Sequence, residues 1–228
     1  MTPAPSLLRS RLEAKGFLLL GALDAARLTG VPDPSARTLL LVGNAGPALW
    51  RAFERAPENA DGAPDPLDRY TRRVLGAVAR EVGCIAVFPF DGPPWRPFQS
   101  WALAAGGFSQ SPLGVLAHMT FGPWAGFRAA LLSSEPWREP WPGPTDPDRP
   151  GPCVDCADKP CLSACPVGAI SLDGGYDVPA CRAHLAKNPD ADCFAGCLAR
   201  RACPVGRAFR HGAEQARLHM ASFCAICR

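Results

Sequence analysis

The placement of its thiols constrains this chain more than any other feature of the sequence. Eight of the eleven cysteines fall between residues 153 and 203 in two runs, and each run closes with the phrase Cys-Pro-Val-Gly. The first reads Cys153-Val-Asp-Cys156-Ala-Asp-Lys-Pro-Cys161-Leu-Ser-Ala-Cys165-Pro166. The second is looser: Cys181, then Cys193-Phe-Ala-Gly-Cys197, then Cys203-Pro204. A [4Fe–4S] cube is wrapped by one short loop while a distant fourth thiolate closes the cage. Two cubes need eight thiolates, and eight are present.

Where two such cubes share one module, the cysteine before proline at the end of each run ligates the other run's cluster. That rule assigns Cys153, Cys156, Cys161 and Cys203 to one cube, and Cys165, Cys181, Cys193 and Cys197 to the other. The first run has four residues between its second and third cysteines where the common bacterial pattern has two. The longer gap resembles the iron–sulfur subunits of larger oxidoreductases and reads as a loop insertion. Zinc sites use two separated C-x2-C knuckles, which the Cys-Pro endings do not match. Disulfides need an oxidising compartment. The first twenty residues carry Arg9, Arg11, Glu13 and Lys15 where a signal peptide would have its apolar core, so the expected location is cytoplasmic, with thiols kept for metal.

With 228 residues, 47% of them hydrophobic and 20% charged, the chain can bury one substantial core beside a small metal-stapled module. No uncharged apolar stretch is long enough to span a bilayer, so no membrane partner is expected. The formal charge of +3 gives little reason to expect a polyanionic partner, because each oxidised cube with four thiolates carries about −2. Residues 136–152 hold seven prolines. So many missing amide donors exclude a helix interior or a central strand and imply an extended connector. Trp137 and Trp141 within it imply that it lies against a domain as an ordered strap. The expected division is therefore a first domain over 1–135, a proline-rich linker over 136–152, a cluster module over 153–210, and a helical tail over 211–228.

Upstream of the strap, helical and strand patterns alternate. Ser6 to Lys15 has a capping residue and an apolar stripe, and reads as a helix ending at Gly16. Phe17 to Leu23 and Thr38 to Val42 are short apolar runs bounded by turn residues, as buried strands are. Asp65-Pro66-Leu67-Asp68 supplies a cap, a proline at the first helical position and an acidic first turn. The helix it starts carries Leu67, Tyr70, Val74, Val78 and Val82 on one face and stops at Gly83. Cys84 to Phe90 reads as a strand, with Cys84 a buried small hydrophobe. Pro97 to Ala105 reads as a helix, and 114–120 and 125–132 as two further strands. Helices and strands in this alternation imply an α+β fold, a mixed-sheet sandwich with packed helices. Each half of the cysteine region is expected to supply a strand, a loop and a helix, and Arg207 to Met220 reads as helical. Phe98, Trp95 and Trp101 are expected to serve packing. His184, His211 and His219 are solitary in sequence, and Cys224 and Cys227 form a terminal C-x-x-C lacking two ligands.

The segment Leu113-Gly-Val-Leu-Ala-His118-Met-Thr-Phe121-Gly122-Pro-Trp124-Ala-Gly-Phe-Arg128 admits two readings. A glycine-containing turn with His, Trp and Arg at fixed offsets offers close backbone approach to a flat ligand with polar handles. The other reading is a β-hairpin with a core tryptophan, a satisfied histidine and a surface arginine.

The pattern His118-x-x-Phe121-Gly122-x-Trp124-x-x-x-Arg128, together with Asp65-Pro66-Leu67-Asp68, resembles the cobalamin-processing chaperones of the cblC type. The cysteine block, including an isolated Cys181 followed by Arg182, resembles that of epoxyqueuosine reductases and reductive dehalogenases. These families place a nitroreductase-like, corrinoid-binding domain ahead of a bacterial-type two-[4Fe–4S] ferredoxin domain. The resemblance implies that fold order, two [4Fe–4S] clusters, and cobalamin held by His118, Phe121, Gly122, Trp124 and Arg128. It also implies an electron-donor protein of the ferredoxin, flavodoxin or reductase kind. The leading expectation is an iron–sulfur oxidoreductase passing electrons to a corrinoid or similar flat cofactor. A simple electron carrier with a partner-docking domain is the first alternative, and epoxyqueuosine-type tRNA modification the second. Epoxyqueuosine reductases continue into helical repeats that help bind tRNA, while this sequence ends at Arg228, so a nucleic-acid partner is not expected. None of the residues here is assigned the role of their catalytic acid.

Overall fold

A computed structural model describes residues 5–137 and 148–225. The first two apolar runs pair with each other: β1 (Leu18–Asp24) and β2 (Thr38–Asn44) form an antiparallel ladder. β2 is buried at every position, so both faces of the sheet are covered along it. Its other neighbour is β6 (Gly126–Ser133), also antiparallel, and the short β3 (Ile85–Val87) completes the sheet in the order β1-β2-β6-β3. Every pair is antiparallel, which corrects the mixed sheet expected from the sequence. The alternation of helices and strands overstated the parallel content, since no two neighbouring strands here need a helical crossover between them. The fold is α+β.

The helices follow their sequence signals with two adjustments. α1 (Pro5–Glu13) and α3 (Pro66–Glu81) pack on each other and on the sheet. α3 buries Tyr70, Val74 and Val78, as its apolar stripe requires. It ends in a Schellman arrangement: Gly83 adopts φ +69°, and the Cys84 amide donates to the Ala79 carbonyl at 2.8 Å. At its start the expected side-chain cap is not formed, because Asp65 sits in the left-handed region (φ 51°) with its carboxylate off the helix amides. α2 (Ala48–Phe53) escaped the sequence reading, although Pro47 before it and Leu49 and Phe53 four apart are its signals. α4 (Phe98–Ala105) packs on β1 at Gly21, where a Cβ would lie 2.7 Å from that of Ala105. β3 is shorter than expected because Phe88 and Phe90 leave the ladder and stack on each other at 5.2 Å beneath the Arg72 guanidinium.

By internal contacts the chain forms two compact units, 1–107 with 126–149, and 108–125 with 150–228. The second therefore contains the His118 segment, which the sequence placed in the first domain. Residues 114–120 and 125–132 are not paired with each other: β5 (Leu116–His118) pairs with β4 (Phe108–Gln110), while β6 lies between β2 and β3. Ala129 to Leu132 are all buried, and only a central strand gives both faces of such a run cover. The rest of the second unit comprises α5 (Pro160–Ser163), the hairpin of β7 (Ile170–Ser171) and β8 (Gly175–Tyr176), α6 (Val178–Lys187), α7 (Leu198–Ala202) and α8 (Ala213–Ala225). Among the described residues the second half of the cysteine region has no strand. The expected helix over 207–220 is split into a 3-10 turn at Arg207–Phe209 and α8.

In the strap, Trp137 is buried, its indole N–H donates to Ser133 Oγ at 2.9 Å, and its amide donates to Thr38 Oγ1 at 3.0 Å. Trp141 and Cys227 lie outside the described residues. Trp101 and Phe98 are core residues, whereas Trp95 is 67% exposed, contrary to the packing role expected of it. No described helix is long and apolar enough to cross a membrane. Leu40, at the centre of β2 with no exposed surface, is the test of this packing. Leu40→Ala is expected to cost about 2–5 kcal/mol, measured as a lower denaturant midpoint.

Candidate metal centres

The eight clustered cysteines line two cavities in the second unit. One, of about 290 Å³, is walled by Cys165, Cys181, Cys193 and Cys197 with Leu113, Tyr176 and Phe223 among its apolar lining. The other, of about 30 Å³, is walled by Cys153, Cys156, Cys161 and Cys203 with prolines and Lys159. Local sequence places each thiol. Pro160 opens α5 directly after the turn holding Cys153 and Cys156, so Cys161 lies in its first turn. Asp177 caps α6 by accepting from the Ala180 amide at 2.9 Å, and this turn presents Cys181. Gly196 (φ +116°) turns the chain between Cys193 and Cys197.

Cys203 reaches the first run's cavity because two backbone segments touch. An added Cβ on Gly206 would fall 2.1 Å from the Phe121 carbonyl oxygen, and one on Gly122 would fall 2.3 Å from that of Val205. Both glycines have positive φ, +74° and +56°, so each serves the approach twice, by its conformation and by its missing side chain. Arg200 fixes the same junction, donating from Nε and Nη2 to the Pro123 carbonyl at 2.9 and 2.6 Å.

Electrostatics within each set are unfavourable without a cation. Burial, first, and then the charge of neighbouring thiolates hold Cys161, Cys181, Cys193 and Cys203 above the ordinary thiol value. Apart from Cys224 beside Cys181, the interacting thiolates come from the cysteine's own cavity. Such a set ionises when a multivalent cation offsets the charge. The described cysteines are free thiols. Among the described residues no three or more His, Cys, Asp or Glu side chains converge on a point as ligands of a single metal ion do.

The five residues marked out for a flat cofactor are dispersed. His118 is 4% exposed, its ring stacks on Phe121 and meets the edge of Phe108, and its Nδ1 accepts from the amides of Thr120 and Phe121 at 3.1 and 3.3 Å. Burial pulls its pKa down to about 4. Phe121 packs edge-on against Phe209, and Gly122 faces Val205. Trp124 is 2% exposed, with the Arg200 guanidinium 4.6 Å above its ring, His211 at its edge, and its indole N–H buried without an acceptor. Arg128 lies in the first unit, where Nε donates to Asn44 Oδ1 at 2.7 Å and Nη1 stands 4.0 Å from Asp68. Burial raises the Asp68 carboxyl, and Arg128 opposes that rise.

Several residues of this region carried no spacing signal. Tyr176, His184, His219 and Phe223 line the larger cavity, and His211 and His219, solitary in sequence, stand ring to ring at 4.9 Å. Cys224 is drawn in by α8, its carbonyl accepting from Arg182 at 2.7 Å. Cys84 is 8% exposed, and burial lifts its thiol to about 11.

Comparison with solved structures finds similarity to the C. elegans B12-trafficking protein CblC, a homologue of human MMACHC, at 13% identity over 94% of this chain and 89% of that one, with a TM-score of 0.55. An epoxyqueuosine reductase is similar at 16% identity over 93% of this chain and 67% of its own, TM-score 0.49. Epoxyqueuosine reductase with an epoxyqueuosine-modified tRNA-Tyr stem loop is similar at 15%, over 93% and 66%, TM-score 0.45. No family model matches the chain, and no curated protein matches it significantly. The first of these similarities places the fold with that of CblC.

The His118 environment sets a pH dependence. Its folded pKa, about 4, lies below the ordinary 6.5, so between these values the unfolded chain binds more protons and stability rises with pH. Acidification through that window is expected to remove up to roughly 3 kcal/mol. His118→Asn, which keeps an acceptor for the two amides, is expected to flatten the slope of denaturant midpoint against pH.

Proposed function

We propose that the chain is an iron–sulfur redox protein holding one [4Fe–4S] cluster in each cavity and delivering electrons to a corrinoid or a comparably flat acceptor. The observation that carries this reading is the sorting of eight cysteines into two quartets, each completed by the Cys-Pro cysteine of the opposite run. The donor chemistry fits: sets of four cysteine thiolates hold such clusters, and a cube with an iron at each corner takes thiolates that ring a cavity instead of meeting at one point. When bound, the clusters supply one-electron transfer at potentials tuned by their surroundings.

The chain's own residues hold and insulate. Leu113, Ile170 and Ala199 form an apolar wall against which Cys161, Cys165 and Cys197 pack. Lys159 donates to the carbonyls of Cys156 and Cys153 at 2.6 and 3.5 Å, closing the first loop on itself. The corrinoid as acceptor is supported by the likeness of fold to CblC, a protein described as B12-trafficking, and by the motif resemblance. A plain electron carrier is the second reading. Its specific support is that His118 and Gly122, two of the residues marked for the corrinoid, are already engaged by protein.

Iron and sulfide analysis of anaerobically reconstituted protein tests the clusters. The expected content is about eight irons, and the crossover pairing makes Cys153→Ser with Cys203→Ser retain about four while Cys153→Ser with Cys165→Ser loses nearly all. Pairing within each run reverses the two outcomes. Adding hydroxocobalamin separates the two readings: the corrinoid reading expects a visible-spectrum change on reduction at micromolar protein, and an unchanged spectrum leaves the carrier.

A further inference from the structure

The small net charge of the chain hides an uneven placement within the second unit. Residues 200–217 hold five arginines against one acid, Glu214. Arg200 is spent inside the module, on the Pro123 carbonyl and the Trp124 ring, and Arg201 pairs with Asp192 at 3.2 Å. Arg207, Arg210 and Arg217 are exposed and, among the described residues, form no ion pair. Local packing gathers them around α7. The Arg210 guanidinium donates to the Arg201 carbonyl and so folds back over that helix. Gly196 lets Arg201 and α8 approach: a Cβ there would meet Arg201 Cδ at 3.5 Å and the Cβ of Ala216 at 3.6 Å, and Arg217 is the next residue. Arg207 opens the 3-10 turn that follows Gly206.

α7 also joins the two quartets along the chain. Cys197, directly before it, lines the larger cavity, and Cys203, directly after it, lines the smaller. A partner held over α7 is therefore next to one thiol of each quartet. Unpaired charges of one sign repel each other and gain from an opposite charge brought to them. The first run's loop exposes two acids instead, Asp155 and Asp158, so an acidic partner is repelled there and steered to α7. Nucleic acid is the poorer match: among the described residues the large exposed apolar side chains of this unit are Val115, Val154, Val167 and Leu172, none with a ring on which a base could stack. Resting on the two-cluster reading, we propose that the arginine surface over α7 is the docking site of an acidic electron-carrier protein and the point at which electrons enter. The carrier is oxidised by one electron, and one cluster is reduced by it. Redox encounters of this kind use small interfaces, which three surface arginines suit.

The test measures binding of oxidised flavodoxin, an acidic carrier, to the full reconstituted chain by titration calorimetry at rising salt, with iron content determined on each sample. Affinity is expected to fall as salt rises. Arg207→Glu with Arg217→Glu is expected to weaken binding about tenfold at low salt and to flatten the salt dependence. The oxidation of flavodoxin hydroquinone to its semiquinone by the same variant is expected to slow in step. Arg217→Glu alone, a change well beyond the last of the eight cysteines, is expected to give a smaller shift of the same sign. Arg51→Glu with Arg55→Glu removes equal charge from the first unit and is expected to change neither binding nor rate. A control that weakens binding equally, or a wild type whose affinity ignores salt, overturns the assignment. Capture of a tRNA stem loop by the same arginines, with flavodoxin left unbound, overturns it in favour of nucleic acid. A wild-type protein that takes up fewer than two clusters instead overturns the reading on which this rests.

Discussion

The contact of Val205 and Gly206 with Phe121 and Gly122 is the constraint on which the second unit depends. Cys203 lies more than forty residues beyond the rest of its quartet in the chain, and α7 alone does not bring it back to them. The approach of two carbonyls to within van der Waals range of two glycine α-carbons does. Neither glycine can be exchanged without strain, since φ is positive at both and each missing Cβ is replaced by backbone that cannot swing aside as a side chain could. The Arg200 fork on Pro123 and the cation–π contact over Trp124 then lock the same junction from the side. A quartet drawn from both runs is thus a consequence of backbone packing between a hairpin and a cysteine loop, established without reference to any metal.

The buried clusters of the two units differ in make-up. In the first, β2 is buried throughout and its neighbours contribute long apolar runs, so ordinary burial accounts for its cohesion. In the second, Leu113, Ile170 and Ala199 form a buried apolar cluster whose remaining contacts are Leu162, Tyr176 and three cysteines. Burial and the neighbouring thiolates push the thiols packed at this cluster toward protonation.

Regular elements were legible where one physical signal dominated. α3 announced itself by a proline start, a stripe and a terminal glycine, and β1, β2 and β6 by short apolar runs. What failed was context. The alternation of elements says nothing of strand direction, so the antiparallel order went unread. Apolar strands adjacent in sequence read as a hairpin, yet 116–118 and 126–133 go to different sheets because a fully apolar strand needs cover on both faces. In the site, cysteine spacing carries chemistry in one dimension, whereas Tyr176, His219 and Phe223 arrive at the larger cavity through a hairpin and a terminal helix with no spacing to announce them.

The motif that resembles the cobalamin chaperones shows the same limit from the other side. Its residues are contiguous in sequence, but His118, Phe121, Gly122 and Trp124 belong to the unit of the cysteines, and Arg128 to the unit of the sheet. Within the sheet unit Arg128 stands near Asp68, the last residue of the second resembled phrase, and both are set by burial: the carboxyl is raised, and the arginine is bonded to Asn44. A charged pair partly withdrawn from water is costly to keep unless its geometry is satisfied, and here the guanidinium is satisfied chiefly by a neutral amide. The two phrases therefore meet through Asp68 and Arg128. The histidine end of the motif serves the packing that completes a cysteine quartet.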